Sequence, residues 1–172
     1  MTADVRLATL ADARGIAETH VRGWQQAYRD ILPAPFLDSL SVERREAQWL
    51  EILAQDDRTG VANWVAERDG AIVGFASVGP ARDEDTPGAG ELYALYVLAE
   101  EWGTGTGPRL HSMAIEHLRA RPCAEATLWV LRDNARARRF YEREGWVADG
   151  TTKDDDRGTF VLHEVRYRTE FA

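Results

Sequence analysis

The segment DNARARRFYEREGW, residues 133–146, decides the fold of this chain. Asn134 is a residue type that favours the start of a helix, and Gly145 is the type that most often ends one. Asn134 and Tyr141 are seven positions apart, so at about 100° per residue they lie on nearly the same helix face. Ala137, one turn after Asn134, keeps that face small enough for a ligand to lie along it. The segment therefore predicts a short helix that presents an amide and a phenol along one face.

Two interpretations of this face are open at the level of the segment. In the first, the Tyr141 hydroxyl donates a proton and the Asn134 amide pairs with an amide of a ligand. In the second, Asn134 only caps the helix and Tyr141 is a half-buried aromatic residue. The segment alone favours the second interpretation, because both features are common in helices without a ligand. Other parts of the chain therefore have to decide between them.

Upstream, the segment VLAEEWGTGTGPRL, residues 97–110, indicates the end of a strand, a glycine-rich turn and the start of a helix. The turn is formed by Gly103, Thr104, Gly105, Thr106, Gly107 and Pro108. Glycine permits a positive φ and a close approach of a ligand, and the unpaired N–H groups at a helix start bind anions such as phosphate. Neither the P-loop nor the dinucleotide-binding pattern is present. The turn therefore predicts either a phosphate site or a flexible loop that only ends the strand.

In the rest of the chain, the spacing of apolar residues predicts the remaining elements. Alternation indicates strands, and recurrence at helical spacing indicates helices. The clearest is a hairpin of two strands, 62–68 and 71–78, joined across Asp69-Gly70. A second hairpin joins 146–150 to 159–168 across the polar sequence TTKDDDRG. Further strands are predicted at 5–9, 91–98 and 125–131, and further helices at 13–28, 35–40, 42–54 and 108–120. This order indicates a single α+β or mixed α/β domain over residues 1–172.

The composition excludes several classes of function. A chain of 172 residues is long enough for one domain with its own core. The net charge of −8 argues against nucleic acid and membrane as partners, because both are bound by a basic excess. The N-terminus carries charges instead of an apolar signal core, so a cytoplasmic location is expected. Cys123 is the only cysteine, and the four histidines lack the spacing of metal ligands, so neither a disulfide nor a metal is expected.

Taken together, the two segments resemble the GNAT superfamily of N-acetyltransferases. That family carries a Gln/Arg-x-x-Gly-x-Gly/Ala turn after its fourth strand and an Asn-x-x-Ala-x-x-Phe-Tyr-x-x-x-Gly-Phe/Trp stretch further on. Gly105 and Gly107 match the turn, and the stretch is matched by Asn134, Ala137, Phe140, Tyr141, Gly145 and Trp146. The resemblance is strongest over residues 91–147. It implies a central mixed, mostly antiparallel sheet, flanked by helices, in which strands four and five splay apart.

The resemblance also implies acetyl-CoA as the co-substrate, lying in the opening between these two strands. The pantetheine arm and the acetyl group are then expected to pair with the backbone of Leu95, Tyr96 and Val97. The N–H groups of residues 103–108 are expected to hold the pyrophosphate. Two departures from the family pattern fall in this turn, because Trp102 stands where Gln or Arg is usual and Pro108 lacks an N–H.

Catalytic roles follow from the same resemblance. Asn134 and Ala137 are expected to contact the pantetheine arm, and Tyr141 to protonate the departing CoA thiolate. The attacking amine must be neutral, so a base has to remove a proton, and Glu91 is expected to do so through a water molecule. The oxyanion that develops on the acetyl group is expected to be held by the N–H of Val97.

The acceptor pocket is expected on the first long helix. His20, Trp24 and Tyr28 are spaced four apart there, with core packing as the alternative for at least one of them. Trp24 and Tyr28, together with Glu91, suit an apolar or a cationic amine, and an aromatic face attracts a cation. The acidic runs 83–85 and 154–156 either attract such an amine or are solvated turns.

These residues predict direct transfer of an acetyl group to a primary amine of a small molecule or peptide. The altered turn leaves an alternative, a non-catalytic module that binds or senses acyl-CoA. The missing turn donor is expected to be offset by one or more of the nearby arginines, Arg109, Arg136, Arg138 and Arg139. The acid excess is then expected near the amine entrance, and the resemblance is also compatible with a homodimer.

Overall fold

Seven strands form one sheet in the computed structural model, counted over the residues that it describes, 2–55 and 57–172. The strands are β1 (Asp4–Leu7), β2 (Ala62–Arg68), β3 (Ala71–Pro80), β4 (Gly90–Val97), β5 (Glu125–Leu131), β6 (Val147–Asp156) and β7 (Val161–Glu170). The helices are α1 (Ala13–Ala27), α2 (Ala34–Asp38), α3 (Val42–Leu53), α4 (Thr106–Arg119) and α5 (Ala135–Arg143). Over the same ranges, no helix has the length and apolar character needed to cross a bilayer.

The strand order is β1-β2-β3-β4-β5-β7-β6, and every neighbouring pair is antiparallel except β4 with β5. This parallel pair diverges soon after it begins, because the ladder joins residues 90–92 to 126–128 and then stops. β4 continues along β3 as far as Val97, while β5 continues along β7 as far as Leu131. A gap therefore opens between them. The expected mixed, mostly antiparallel sheet with splayed fourth and fifth strands is confirmed.

Successive side chains of each strand point to opposite faces of the sheet, and both faces are buried. Trp64 and Ala66 of β2 pack in one core cluster with α4, whereas Val65 between them packs in a second cluster with α1 and α3. A third cluster joins α1 and α2 to the ends of β5 and β7 through Tyr28 and Leu131. The gap between β4 and β5 is thus bordered by α4 and α5 on one face and by α1 on the other.

Local sequence signals set several element boundaries. Asp69 and Gly70 both have a positive φ, at 52° and 79°, as a two-residue type I′ hairpin turn requires. Before α1, the Asp12 carboxylate accepts a hydrogen bond of 2.7 Å from the Thr9 N–H, as a capping box requires. The predicted hairpin across Asp69-Gly70 is confirmed.

The last hairpin differs from its prediction. β6 runs over Val147–Asp156, so the sequence TTKDDD lies in a strand, and residues 157–160 make the turn. β6 is the edge strand of the sheet, where charged side chains are common because no further strand packs against it. An irregular register between Ala148 and Thr152 also breaks the alternation that would mark a strand. The prediction of a polar turn at 151–158 is wrong for these two reasons.

Candidate functional site

A cavity of about 520 Å³ lies in the gap between the diverging halves of β4 and β5. Its wall includes Gly107 and Phe140 from the α4 and α5 side and Trp24 and Tyr28 from the α1 side, so it reaches both faces of the sheet. The predicted site residues that line it are Trp24, Tyr28, Glu91, Leu95, Tyr96, Val97, Gly103, Gly107, Pro108, Asn134, Ala137 and Tyr141. The predicted site residues that do not line it are Thr104, Gly105 and Thr106.

The backbone of β4 presents donors to this cavity. The Leu98 N–H bonds to the Val73 carbonyl of β3 at 2.9 Å. Successive N–H groups of a strand point to opposite sides, so those of Val97 and Leu95 face the gap that β5 has left. The Tyr96 side chain packs on the α1 face, whereas Leu95 and Val97 pack on the α4 face. The edge of β4 is therefore free to pair with an extended ligand.

The glycine turn is held from behind by Glu101, a residue that the sequence analysis missed. Its buried carboxylate accepts hydrogen bonds from the Thr106 hydroxyl at 2.7 Å and the Thr104 hydroxyl at 3.0 Å. Arg68 of β2 donates two more, at 2.6 and 2.8 Å, and these bonds chiefly lower the pKa of Glu101 to about 2. Both threonine side chains thus point away from the cavity and organise the turn.

The start of α4 leaves backbone donors unpaired within the helix. Gly105 has a φ of 93°, in the left-handed region that glycine tolerates, and the next residue begins the helix. The first intrahelical bond is donated by the Arg109 N–H to the Gly105 carbonyl. The N–H groups of Thr106 and Gly107 precede it and are available to an anion. Pro108 has no N–H to offer.

Trp102, the first departure from the family pattern, contacts both walls of the opening. Its indole Nε1 donates to the Val97 carbonyl at 3.1 Å, which ties the ring to the end of β4. The Arg136 guanidinium of α5 lies over the same ring, 3.6 Å from the ring centroid. Both side chains line the cavity, so this stacked pair bridges β4 and α5 at the cavity edge.

α5 carries the two residues on which the sequence interpretation rested. Asn134 caps the helix, because its Oδ1 accepts a 3.2 Å hydrogen bond from the Ala137 N–H. The Tyr141 side chain is buried between Phe140 and Trp146. Within the described part of the chain, its hydroxyl has no hydrogen-bond partner. Burial raises the pKa of Tyr141, so the phenol stays protonated at neutral pH.

The residues predicted for the acceptor pocket separate into two groups. The Tyr28 hydroxyl lies 3.0 Å from the Tyr96 hydroxyl, and Trp24 packs edge-on against Tyr28. His20 instead accepts a 3.2 Å hydrogen bond from the Trp49 indole and does not line the cavity. Burial lowers its pKa to about 3, so it is a neutral core residue. Core packing is thus correct for His20, whereas Tyr28 both packs in the core and lines the cavity.

Glu91 is less accessible than its predicted role suggests. The residue is only 1% exposed, although it contributes to the cavity wall. The Arg82 guanidinium holds its Oε1 at 2.6 Å, and the Arg82 backbone N–H holds its Oε2 at 2.9 Å. The role of Glu91 as a base acting through water stays a prediction.

The β6–β7 hairpin supplies cavity residues that the sequence analysis did not find. From it come Lys153, Asp155, Arg157, Leu162 and Glu164, and Trp129 of β5 lies beside them. They were missed because the first three fall in the segment predicted as a turn. The alternation of Lys153, Asp155 and Arg157 was the available signal. The cavity wall therefore carries charges of both signs, and the acid excess is not concentrated there.

Other charged candidates are used inside the fold. Of the four arginines proposed for CoA phosphates, Arg136 alone lines the cavity. Arg109 bonds to the Ala3 carbonyl at 2.6 Å, and Arg138 bonds to the Tyr167 hydroxyl at 2.9 Å. Asp83 and Asp85 of the first acidic run hold the buried Arg166 of β7. In the second run, Asp154 pairs with His163 and Asp155 with Arg157.

Comparison with known proteins agrees with this geometry. A family model described as the Acetyltransferase (GNAT) family matches residues 22–146. The chain belongs to this family. An uncharacterized N-acetyltransferase of Bacillus subtilis is 34% identical over 136 residues, which are 76% of this GNAT chain and 72% of that protein.

Solved structures share the fold of this GNAT chain. The PaiA N-acetyltransferase of Thermoplasma acidophilum, in complex with coenzyme A, has a TM-score of 0.80 at 18% identity, with 99% of this chain and 100% of that chain covered. A putative acetyltransferase of Salmonella typhimurium with its cofactor acetyl-CoA has a TM-score of 0.73 at 18% identity. The match covers 99% of this chain and 94% of that chain. Likeness at this level of identity shows the fold.

Two other kinds of chemistry find no support in the site. Within the described ranges, no group of three or more His, Cys, Asp or Glu side chains is placed to hold a metal ion. The Cys123 thiol donates to the Leu118 carbonyl at 3.1 Å, and burial raises its pKa. Cys123 does not line the cavity, so it is not placed to act as a nucleophile there.

Proposed function

We propose that this GNAT chain transfers the acetyl group of acetyl-CoA directly to a primary amine of a small molecule or peptide. The observation that carries the proposal is the Tyr141 side chain, which lines the cavity and whose hydroxyl has no hydrogen-bond partner in the described part of the chain. A hydroxyl that lines a cavity and is not used within the fold is free to bond to a ligand. The phenol is protonated at neutral pH, as a group that protonates a thiolate must be.

The proposed position of acetyl-CoA uses the features of both motifs. The pyrophosphate would lie at the start of α4 on the N–H groups of Thr106 and Gly107, where the helix dipole also favours an anion. The pantetheine arm would lie along the free edge of β4, with the Asn134 side-chain NH₂ available to its amides. CoA and acetyl-CoA bound to structural relatives support this choice of co-substrate.

The proposed reaction is a single displacement at the thioester. The neutral amine attacks the acetyl carbonyl carbon, the carbon–sulfur bond breaks, and the thiolate takes a proton from Tyr141. The N–H of Val97 faces the gap and is the proposed donor to the oxyanion. Glu91, through water, is the proposed base, and its contacts with Arg82 would fix its orientation.

For the acceptor we propose a cationic amine that enters from the α1 side. Trp24 and Tyr28 present aromatic surface there, and a cation gains about 0.5–2 kcal/mol over such a face. Tyr96, whose hydroxyl pairs with that of Tyr28, adds a third aromatic side chain to this part of the cavity wall.

The alternative function, an acyl-CoA-binding or sensing module, rests on the altered turn. The Trp102–Arg136 pair lies across the cavity edge, and Pro108 removes one backbone donor from the phosphate site. The Trp102–Arg136 pair would slow cofactor exchange, and the missing donor at Pro108 would weaken cofactor binding, in both cases without affecting Tyr141. Slow exchange and weak binding both disfavour rapid turnover.

One pair of measurements separates the two functions. Calorimetry with acetyl-CoA measures binding, and a thiol-release assay measures transfer to a panel of polyamines, aminoglycosides, amino acids and peptide N-termini. We expect micromolar binding together with thiol release on at least one amine. Binding without release on any amine would establish the sensing module instead, and absence of binding would exclude both functions.

A further inference from the structure

Lys153 is the only lysine of the chain, and it lies at the candidate acceptor site. The other 20 of the 21 Lys and Arg residues are arginines. A guanidinium is not an acetyl acceptor at ordinary pH, because it stays protonated, whereas a lysine amine is the kind of nucleophile that this site is proposed to use. The chain therefore carries its one side-chain amine in the wall of its own cavity.

The direction of the Lys153 side chain is fixed by strand register. Lys153 of β6 pairs with Glu164 of β7, and Glu164 pairs with Leu131 of β5. Two strand spacings place the Lys153 backbone about 10 Å from β5. Its Nζ nevertheless lies 4.2 Å from the ring centroid of Trp129, which belongs to β5. The side chain thus lies flat across β7 and points toward the gap between β4 and β5.

The surroundings of Nζ include a group that can accept its proton. The Glu164 carboxylate lies 3.7 Å away, and the Trp129 ring covers the other side. Burial, with Asp155 nearby, raises the pKa of Glu164, while Lys153 and Arg157 act in the opposite direction. A carboxylate with a raised pKa accepts a proton more readily. The Tyr28–Tyr96 hydroxyl pair lines the same cavity.

We propose that the protein acetylates itself on Lys153 when acetyl-CoA is bound and no other amine is present. The inference rests on the proposed acetyl transfer and adds an internal acceptor to it. The Lys153 ammonium gives a proton to Glu164 or to solvent, and the neutral Nζ attacks the acetyl carbon of acetyl-CoA. The carbon–sulfur bond breaks, an amide forms at Nζ, and the CoA thiolate takes a proton from Tyr141. The products are N-acetyl-lysine, free CoA and one proton.

The test is incubation of the full chain with acetyl-CoA alone, followed by intact mass measurement, peptide mapping and assay of released thiol. We expect one acetyl group per chain on Lys153, with thiol released in equal amount. Tyr141→Phe slows the modification by about 10²–10⁴-fold, the usual contribution of a positioned acid. Lys153→Arg keeps the cation beside Glu164 and gains no side-chain acetyl group.

A matched variant distinguishes enzyme action from simple chemical acetylation. Arg44 of α3 is exposed and lies outside the cavity, so Arg44→Lys adds a second amine that the site does not reach. We expect that lysine to stay unmodified while Lys153 reacts. Equal modification of both lysines, or an unmodified Lys153 in protein that calorimetry shows to bind acetyl-CoA, would overturn the inference alone. A chain that binds no acetyl-CoA would overturn the proposed function as well.

Discussion

The surroundings of the Tyr141 hydroxyl leave it free for its proposed role as a proton donor. Tyr167, which is 0% exposed against 8% for Tyr141, has a hydroxyl that accepts from Arg138 and donates to Glu142, so its hydrogen-bonding capacity is used within the fold. Tyr141 has no such partner in the described part of the chain, and its ring alone is held, by Phe140 and Trp146. The same side chain is therefore structural at one position and free to serve a ligand at the other.

The first prediction concerns this hydroxyl. Tyr141→Phe keeps the ring and its packing and removes only the proton donor. We expect kcat for acetyl transfer to fall by about 10²–10⁴-fold, with the Kd for acetyl-CoA changed by less than about fivefold. Steady-state thiol release and calorimetry measure the two quantities. Tyr167→Phe is the control, since it costs stability and leaves kcat unchanged. An unchanged kcat in Tyr141→Phe would show that another group protonates the thiolate.

The glycine turn illustrates how an element depends on contacts far along the chain. Its conformation rests on Glu101, which the two threonine hydroxyls approach from the turn and Arg68 from β2. Glu101 is 4% exposed, so loss of its charge leaves several donors without an acceptor. The neighbouring Glu100 is half exposed and pairs only at the surface, with Arg22 and Gln26.

The second prediction follows from this contrast. Glu101→Gln is expected to destabilise the fold by about 1–3 kcal/mol, the cost of hydrogen bonds lost to a buried charged group. Because the turn loses its support, acetyl-CoA binding is expected to weaken as well. Thermal unfolding measures the loss of stability, and calorimetry measures the weaker binding. Glu100→Gln is the adjacent control, and we expect it to change neither the stability nor the binding of acetyl-CoA. A Glu101→Gln protein that binds acetyl-CoA normally would show that the turn holds its shape without the carboxylate.

The third prediction addresses the missing donor at the start of α4. Pro108→Ala restores an N–H in the first turn, beside those of Thr106 and Gly107. One further hydrogen bond to the pyrophosphate is worth about 1 kcal/mol, so the Kd for acetyl-CoA is expected to fall roughly fivefold. Pro35→Ala, at the start of α2 and outside the cavity, controls for the loss of proline rigidity. An unchanged or higher Kd would mean that the ligand does not contact this position.

The sequence predicts those parts of the site that local signals define. The cap at Asn134, the glycines of the turn and the Asp69-Gly70 hairpin are each determined by a few adjacent residues, and all three are confirmed. The role of Glu101 depends on Arg68, 33 positions away, and no local pattern reveals that contact. The part of the cavity wall that β6 forms was not predicted for a related reason. The sequence of an edge strand made of polar residues resembles that of a turn.

Across the fold, the distribution of charge is determined by internal pairing. Arg166 is 3% exposed and binds Asp83, Asp85 and Asp149 at 2.7–3.2 Å. These contacts fasten the segment between β3 and β4 to the β6–β7 hairpin, so two walls of the cavity are held together by one guanidinium. Acidic residues that looked available to a cationic partner thus serve the fold, and the net charge of −8 does not identify an acceptor site.

Two histidines, the half-buried His20 and the buried His111, make the stability of the fold depend on pH. His20 accepts from the Trp49 indole, and His111 accepts a 2.9 Å hydrogen bond from the Trp146 indole. Burial lowers the pKa of His20 to about 3 and that of His111 to about 4. Unfolded histidine has a pKa of about 6.5, so the unfolded chain binds more protons than the folded one at mildly acidic pH. Stability from this source is complete above pH 6.5 and is lost as the pH falls below it.

The last prediction is the size of that loss. Each histidine is expected to remove about 2 kcal/mol between pH 6.5 and 5, at about 1.4 kcal/mol per pH unit, or about 4 kcal/mol together. Glu164, whose pKa burial raises, partly offsets this, while the lowered pKa values of about 2 at Asp12 and Glu101 act only below about pH 4.5. Urea unfolding at pH 7 and pH 5 measures the difference. His20→Gln and His111→Gln retain an acceptor and are each expected to reduce the pH dependence by about half. Equal stability of the unaltered chain at both pH values would mean that the histidines take up protons without unfolding, through local opening of α1 or α4.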